Sequence, residues 1–377
     1  MRKLIIYITM ITLTAVWFMG CSEDEVIGPT YDDNALVSHK VSTPPVMDGT
    51  VDALWADAIT LTINDVTVPN YSFFWSEYVG DSYTVTAKSV YTDTDIYFLF
   101  EWTGDAEESL ERESWYYNET ANKWMQKPKK EPDEYGVNPA YEDKFAVLWN
   151  MNNSIANYNT QGCGVICHGD EYMATNSEGE YGDMWHWKRV RTAPMHMVDD
   201  KWLTYSTGNG RKSDPKDSGG YSNNKQTLIA GSTEYTVPKY WIPGRTDYHW
   251  ILESEISDGT AKLIVSIDSS TMELTDEDGN GISPGDYSVS SNKLMPSVTV
   301  TPFVGDRGDV AAYQNYSGGK WTLELKRSLV NGNTDNDIQF DDLDKEYYFS
   351  VAVFDASAIA HAIPGGMVGN TYKLQFE

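Results

Sequence analysis

Two thiols followed at once by an imidazole, Cys163-Gly164-Val165-Ile166-Cys167-His168, are the side chains in this sequence best placed to do chemistry. The arrangement is that of covalent haem attachment, in which the two cysteines hold the vinyl groups and the histidine holds the iron. The commoner attachment spacing has two residues between the cysteines, and this chain has three. A small Cys163–Cys167 disulfide loop with an incidental histidine is the competing reading of the same residues.

Iron held in this way needs a second axial ligand if it is to pass electrons without binding small molecules, and imidazole and thioether both serve. The segment Gly182-Asp183-Met184-Trp185-His186-Trp187-Lys188-Arg189-Val190-Arg191 supplies the nearest candidates, His186 first and Met184 as its alternative. Met295 is a further alternative, with Met173, Met195, His196 and Met197 behind it. Trp185 and Trp187 suit the wall of a haem pocket, although a histidine between aromatics is also an ordinary packing residue. Lys188, Arg189 and Arg191 stand together in an otherwise acidic chain. They are either a clamp for the two haem propionates or a run paired with local carboxylates.

A weaker pattern is Asp276-Glu277-Asp278-Gly279-Asn280-Gly281-Ile282, which matches the first half of a calcium loop. Tyr287 stands at the twelfth position, where the bidentate Glu belongs, so an acidic β-turn is the simpler reading and calcium the lesser one. The sequence has no His-Glu-x-x-His and no glycine-rich nucleotide loop before a helix. The chemistry expected is therefore electron transfer rather than substrate conversion.

The elements that must position these residues read as strands. Tyr83 to Val90 and Ile96 to Trp102 flank a Thr92-Asp93-Thr94-Asp95 turn and form a hairpin. Further runs follow at 144–149, 250–256, 261–267, 297–303, 321–329, 347–354 and 372–376. In Trp321-Thr322-Leu323-Glu324-Leu325-Lys326 the apolar residues alternate, as on a strand with one buried face. Many short strands without a sustained helical period predict an all-β protein, an immunoglobulin-like or carbohydrate-module-like β-sandwich over residues 41–377. Residues 150–224 break the rhythm and are expected to form a long haem-binding loop insertion.

The first twenty residues read as a lipoprotein signal peptide, with Arg2 and Lys3, an apolar run from Leu4 to Phe18, and Gly20 before Cys21. Cys21 would carry the lipid and residues 21–40 would be a tether, so an exported protein anchored at the periplasmic or cell-surface face is expected. Export is compatible both with haem attachment and with a disulfide. With 56 acidic residues against 28 basic, the formal charge of −28 excludes nucleic acid as a natural ligand. The same field would speed encounter with a basic redox partner protein. The 41% of hydrophobic residues suffices for a globular core.

Three blocks of sequence resemble the haem-binding domain family related to the gamma subunit of ethylbenzene dehydrogenase and to other molybdenum enzymes of the dimethyl sulfoxide reductase group. The first is Pro44-Pro45-Val46-Met47-Asp48-Gly49 with Asp52-Ala53-Leu54-Trp55. The second joins the Cys163–His168 motif to Asp183–Lys188 and resembles the c-type branch of that family. The third runs through Gly305–Val310, Gly319–Arg327 and Ala352–Asp355, with His361 beyond. The resemblance implies a β-sandwich that binds one haem c, with Cys163, Cys167 and His168 as its attachment, and passes single electrons alone or as a subunit of a respiratory oxidoreductase. Relatives with non-covalent haem use methionine and lysine ligands, which keeps Met184, Met295 and His361 beside His186. The first block also resembles sandwich-fold carbohydrate-binding modules, so the rival function is a lipid-anchored sugar-binding module with a Cys163–Cys167 disulfide.

Overall fold

A computed structural model describes residues 31–71, 74, 76–103, 108–166, 172–366 and 369–377, of which Asp33 onward form one unit. Cys21, Cys167 and His168 lie outside the described residues. The largest sheet has thirteen strands: β1 (Ala35–Lys40), β2 (Leu61–Thr67), β3 (Ser82–Tyr91), β4 (Asp95–Thr103), β5 (Lys144–Asn150), β6 (Tyr181–Lys188), β7 (Asp199–Thr204), β8 (Arg211–Ser213), β9 (Ala311–Ser317), β10 (Lys320–Ser328), β11 (Tyr347–Phe354), β12 (Ile363–Pro364) and β13 (Tyr372–Phe376). Their order is β8-β7-β6-β5-β11-β13-β1-β3-β4-β10-β9, with β2 also on β3 and β12 on β2. Strand β1 runs parallel to both of its neighbours, while β3–β4, β4–β10, β5–β6 and β5–β11 are antiparallel.

The sheet curls until its two halves face one another, making the expected all-β sandwich. Phe98 of β4 packs against Trp149 of β5 and Trp185 of β6, each with ring centroids 5.7 Å apart. Trp102 stacks on Phe145 at 4.7 Å and meets Trp187 at 6.1 Å. The chain leading into β7, next to one end of the strand order, is bridged through Met197 to Ala311 of β9 at the other end. Burying this aromatic layer is the dominant favourable term, because each such ring removes a large apolar area from water.

Period-two alternation decides what lies on the other face. In β5 the core takes Phe145, Val147 and Trp149, and in β11 it takes Phe349, Val351 and Val353. Their neighbours Lys144, Ala146 and Leu148, and Ser350, Ala352 and Phe354, therefore point outward. That outer face is covered, because Ile155, Tyr158, Cys163 and Ile166 from the segment before β6 pack with Leu148, Met184 and Ile363 in a separate apolar cluster. The predicted insertion at 150–224 is accordingly shorter than expected. Strands β6 and β7 are integral members of the sheet, and residues 151–166 and 172–180 supply the cover. The reason it reads as a loop is that β6 mixes Asp, Met, His and Lys into the strand.

Most of the other predicted strands are found within one or two residues. The exception is 250–256, where a two-residue strand Ile251–Leu252 gives way to a helical turn, Glu253–Ser257. Its start is fixed by Glu255, whose carboxylate accepts the Leu252 N–H at 2.8 Å. Smaller sheets between β8 and β9, together with the hairpin of Trp115–Asn118 and Lys123–Gln126 between β4 and β5, enclose a second apolar cluster that includes Trp115, Trp124, Trp241 and Met295.

Two of the resembling blocks hold each other. The Glu324 carboxylate on β10 accepts the backbone N–H groups of Asp48 at 3.1 Å and Gly49 at 2.8 Å, and the Trp55 indole N–H at 3.2 Å. Gly49 is required here, since its φ is +82° and a Cβ would lie 2.7 Å from the Gln314 carbonyl oxygen. Replacing Glu324 by Ala leaves three donors without an acceptor and should destabilise the fold by about 3 kcal/mol, read as a lowered denaturant midpoint with an unchanged m-value.

Candidate functional site

The outward faces of β5, β6 and β11 form the floor of a cavity of about 440 Å³. Strand register lays this floor out in rows. Ala352, Ala146 and His186 lie side by side, as do Ser350, Leu148 and Met184. The two alanines leave space in the middle of the floor, and His186 stands at the end of their row. Cys163 and Met173 line the cavity from the covering segment, Ile359, His361 and Ile363 from the chain between β11 and β12, and Arg211 and Lys130 complete its wall.

His186 is 5% exposed, and neither ring nitrogen has a hydrogen-bond partner. Its ring stacks on Phe354 at 5.3 Å between centroids with 26° between planes. Burial, followed by the charges of Lys188 and Lys144, holds it well below the usual histidine range, so the imidazole is neutral. A buried neutral imidazole without partners is costly unless something in the cavity uses it. His361 also packs against Phe354, at 4.7 Å between centroids, and engages the Ile359 carbonyl through Nδ1 at 2.8 Å.

Cys163 is buried in the cavity wall, where burial pushes its thiol up to about 11. Its place is set by close backbone packing. Gly162 has φ +60°, and a Cβ there would come within 2.1 Å of the Asn370 carbonyl oxygen. Gly369 meets the Gln161 carbonyl in the same manner. The motif loop is thus pressed against the 369–370 turn.

Of the expected distal ligands, His186 and Met184 line this cavity, as do Met173 and His361. Met295 does not; it is fully buried in the cluster with Trp115 and Trp124. Met195 packs with Val298 and Phe303, the Met197 sulfur accepts the Phe303 N–H, and His196 stacks on Tyr313. Trp185 and Trp187 are not cavity walls, because alternation turns them into the sandwich core.

The basic cluster is likewise not at the cavity. Lys188 pairs with Asp199 and lies 3.3 Å from the Tyr221 hydroxyl, Arg189 pairs with Glu108 at 3.0 Å, and Arg191 pairs with Glu142. Each is engaged by an internal carboxylate, as the competing reading of these residues has it. The described cations that line the cavity are Lys130, Lys144 and Arg211, which sequence reasoning missed. Lys144 donates to the Ala358 carbonyl at 3.1 Å and lies 4.2 Å over the Phe354 ring. A signal for the covered outer face was present, since 144–149 is apolar at nearly every position, which an antiparallel strand needs only when both faces are covered.

The Asp276 carboxylate is taken up by its own turn. It accepts the N–H groups of Asp278 and Asn280, the Asn280 amide and the Trp241 indole N–H at 3.1 Å. Trp55, Trp149, Trp185, Trp187 and Trp321 are fully buried packing residues, out of reach of a sugar ring.

The pattern of the family described as ethylbenzene dehydrogenase matches residues 52–363. The chain belongs to this family. Among curated proteins it has no match. Similar solved structures include a family 9 carbohydrate-binding module from Caldicellulosiruptor kristjanssonii in complex with glucose, at 8% identity and TM-score 0.29, covering 91% of this chain and 95% of that one. A putative carbohydrate-binding protein from Bacteroides uniformis is similar at 7% identity and TM-score 0.33, over 91% and 99% of the two chains. Likeness at this level carries no functional argument.

Two outcomes are expected from this geometry. Gly162→Ala forces a backbone collision at a positive φ and should lower stability by about 3 kcal/mol, measured by thermal unfolding. Burial would raise the Glu142 carboxyl, but Arg191, Arg112 and Lys144 more than offset this and hold it below its usual 4.5. The unfolded chain therefore takes up this proton at a higher pH than the folded one. Glu142 supports the fold fully above that value, and its support is lost as pH falls through the folded-state pKa. Glu142→Gln should flatten the acid limb of a melting-temperature profile while lowering stability near neutrality.

Proposed function

We propose that the chain is an exported c-type cytochrome domain, lipid-anchored through Cys21, whose single haem lies in the outer-face cavity and exchanges electrons with a basic redox partner. The observation that carries this reading is His186, a buried neutral imidazole with two unpartnered nitrogens in the same cavity as Cys163. A haem bound there supplies one-electron redox chemistry.

The chain's own residues have distinct tasks in this arrangement. Cys163, Cys167 and His168 would hold the haem, the thiols through its vinyl groups and the imidazole through its iron. His186 would be the second side chain on the iron, its ring plane set by stacking on Phe354. Met184, one row away, is the alternative. Leu148, Ile359 and Ile363 exclude water, while Lys130, Lys144 and Arg211 face the propionates in place of Lys188, Arg189 and Arg191. The formal charge of −28 favours encounter with a positively charged carrier.

Protein from a host competent in haem attachment should be red, and its pyridine adduct should have the band position of a haem with thioether-saturated vinyls. Cys163→Ser should shift that band toward a single-thioether haem. His186→Ala should convert the iron to high spin, and Met184→Ala should leave it low-spin. A colourless protein from such a host overturns the proposal. A low-spin spectrum in His186→Ala transfers the distal role to another cavity side chain.

A further inference from the structure

Strand β6 carries a second set of buried groups on the face opposite the cavity. Asp183, Asp200 and Asp337 are all buried, and each offers a carboxylate oxygen within 4.8 Å of those of the other two. Asp200 on β7 pairs with Trp185, two residues along β6 from Asp183, so the two carboxylates share a sheet face as diagonal neighbours. Asp337 arrives from the chain between β10 and β11.

The hydrogen bonds within this group leave particular oxygens bare. Oδ2 of Asp183 accepts the Ile338 N–H at 3.0 Å and the Trp185 indole N–H at 3.1 Å, whereas its Oδ1 has no partner. Oδ1 of Asp200 accepts the Lys201 N–H at 2.9 Å, whereas its Oδ2 has none. Asp214 is 3% exposed and stands beside Asp337 and Asn336, facing the charge of Asp183 as well. Arg327 is the basic group among them, with Nη2 3.2 Å from Asp337 Oδ2 and Nη1 3.8 Å from Asp183 Oδ2. One guanidinium against four buried carboxyls leaves three without a counterion when all four ionise, and burial with their mutual repulsion accordingly raises every one of them above the usual aspartate range. Bare carboxylate oxygens at this depth are among the most costly groups a fold can hold.

We infer that Asp183, Asp200, Asp214 and Asp337 bind one calcium ion that ties β6 and β7 to the chain around residue 337. Oxygens coordinated about 2.4 Å from a shared calcium ion lie at most about 4.8 Å apart, and the three central carboxylates each offer an oxygen within that limit. A donor set of oxygen alone, without imidazole or thiolate, selects a hard cation. Calcium takes an all-protein oxygen cage more readily than magnesium, which keeps several of its waters. The ion would reduce the cluster's excess charge from three to one and satisfy the bare oxygens of Asp183 and Asp200. This site is separate from the Asp276 turn and does not depend on what fills the cavity.

The test uses the full chain after dialysis against EDTA, with calcium returned stepwise. Elemental analysis should find one equivalent of calcium retained after desalting. The melting temperature should rise by about 5 °C at a hundredfold excess over the dissociation constant. Asp200→Asn should lose that rise while melting no lower than wild type in EDTA, since a neutral amide of the same shape replaces a buried carboxyl that burial and its acidic neighbours disfavour in the charged form. Identical melting in EDTA and in calcium without retained metal overturns the inference, as does a wild-type response in Asp200→Asn. If that variant fails to fold, Asp214→Asn and the wild-type titration decide on the same criteria.

Discussion

In an extended strand successive side chains point to opposite faces, and in Tyr181–Lys188 that geometry divides eight residues between two environments. Asp183, Trp185 and Trp187 enter the sandwich, while Met184 and His186 face the outer cavity. Neither set can move without the other. A slip of one residue would bury His186 among the core tryptophans and expose Trp185, so packing of the aromatic core fixes the cavity histidine as firmly as any direct contact.

The same economy governs charge. The chain has twice as many acidic as basic residues, and several of its carboxylates are fully buried. Its cations are correspondingly drawn inward. Asp199 gathers Lys188, Lys201 and Arg307, Glu142 gathers Arg191 and Arg112, and Arg327 sits among Asp183, Asp309 and Asp337. Removing one partner from such a group strands the other in low dielectric, which costs more than the pair's net contribution. Basic residues adjacent in sequence therefore serve different internal acids rather than one external anion.

The strand hairpins, the sandwich class and the candidates His186 and Met184 were legible because they rest on local signals, alternation and turn chemistry. The cavity itself was not, since it depends on which strands become neighbours. Only the pairing of β5 with both β6 and β11 puts Ala146 and Ala352 in line with His186. Arg211 and Lys130 reach the same space from distant segments and carry no pattern in the sequence. Met295 was misleading for the converse reason: a methionine in an apolar run reads alike whether it lines a cavity or fills a core. The acidic cluster draws on residues more than 150 positions apart, so no spacing rule could reveal it.

The cavity is built on the outside of a sheet whose inner face is already complete. Its lining contributes little to the aromatic core, and its cover comes from residues 151–166 and 172–180 with the chain at 359–366. Assembly can therefore proceed in order, with the sandwich closing first and an occupant received afterwards by a finished protein.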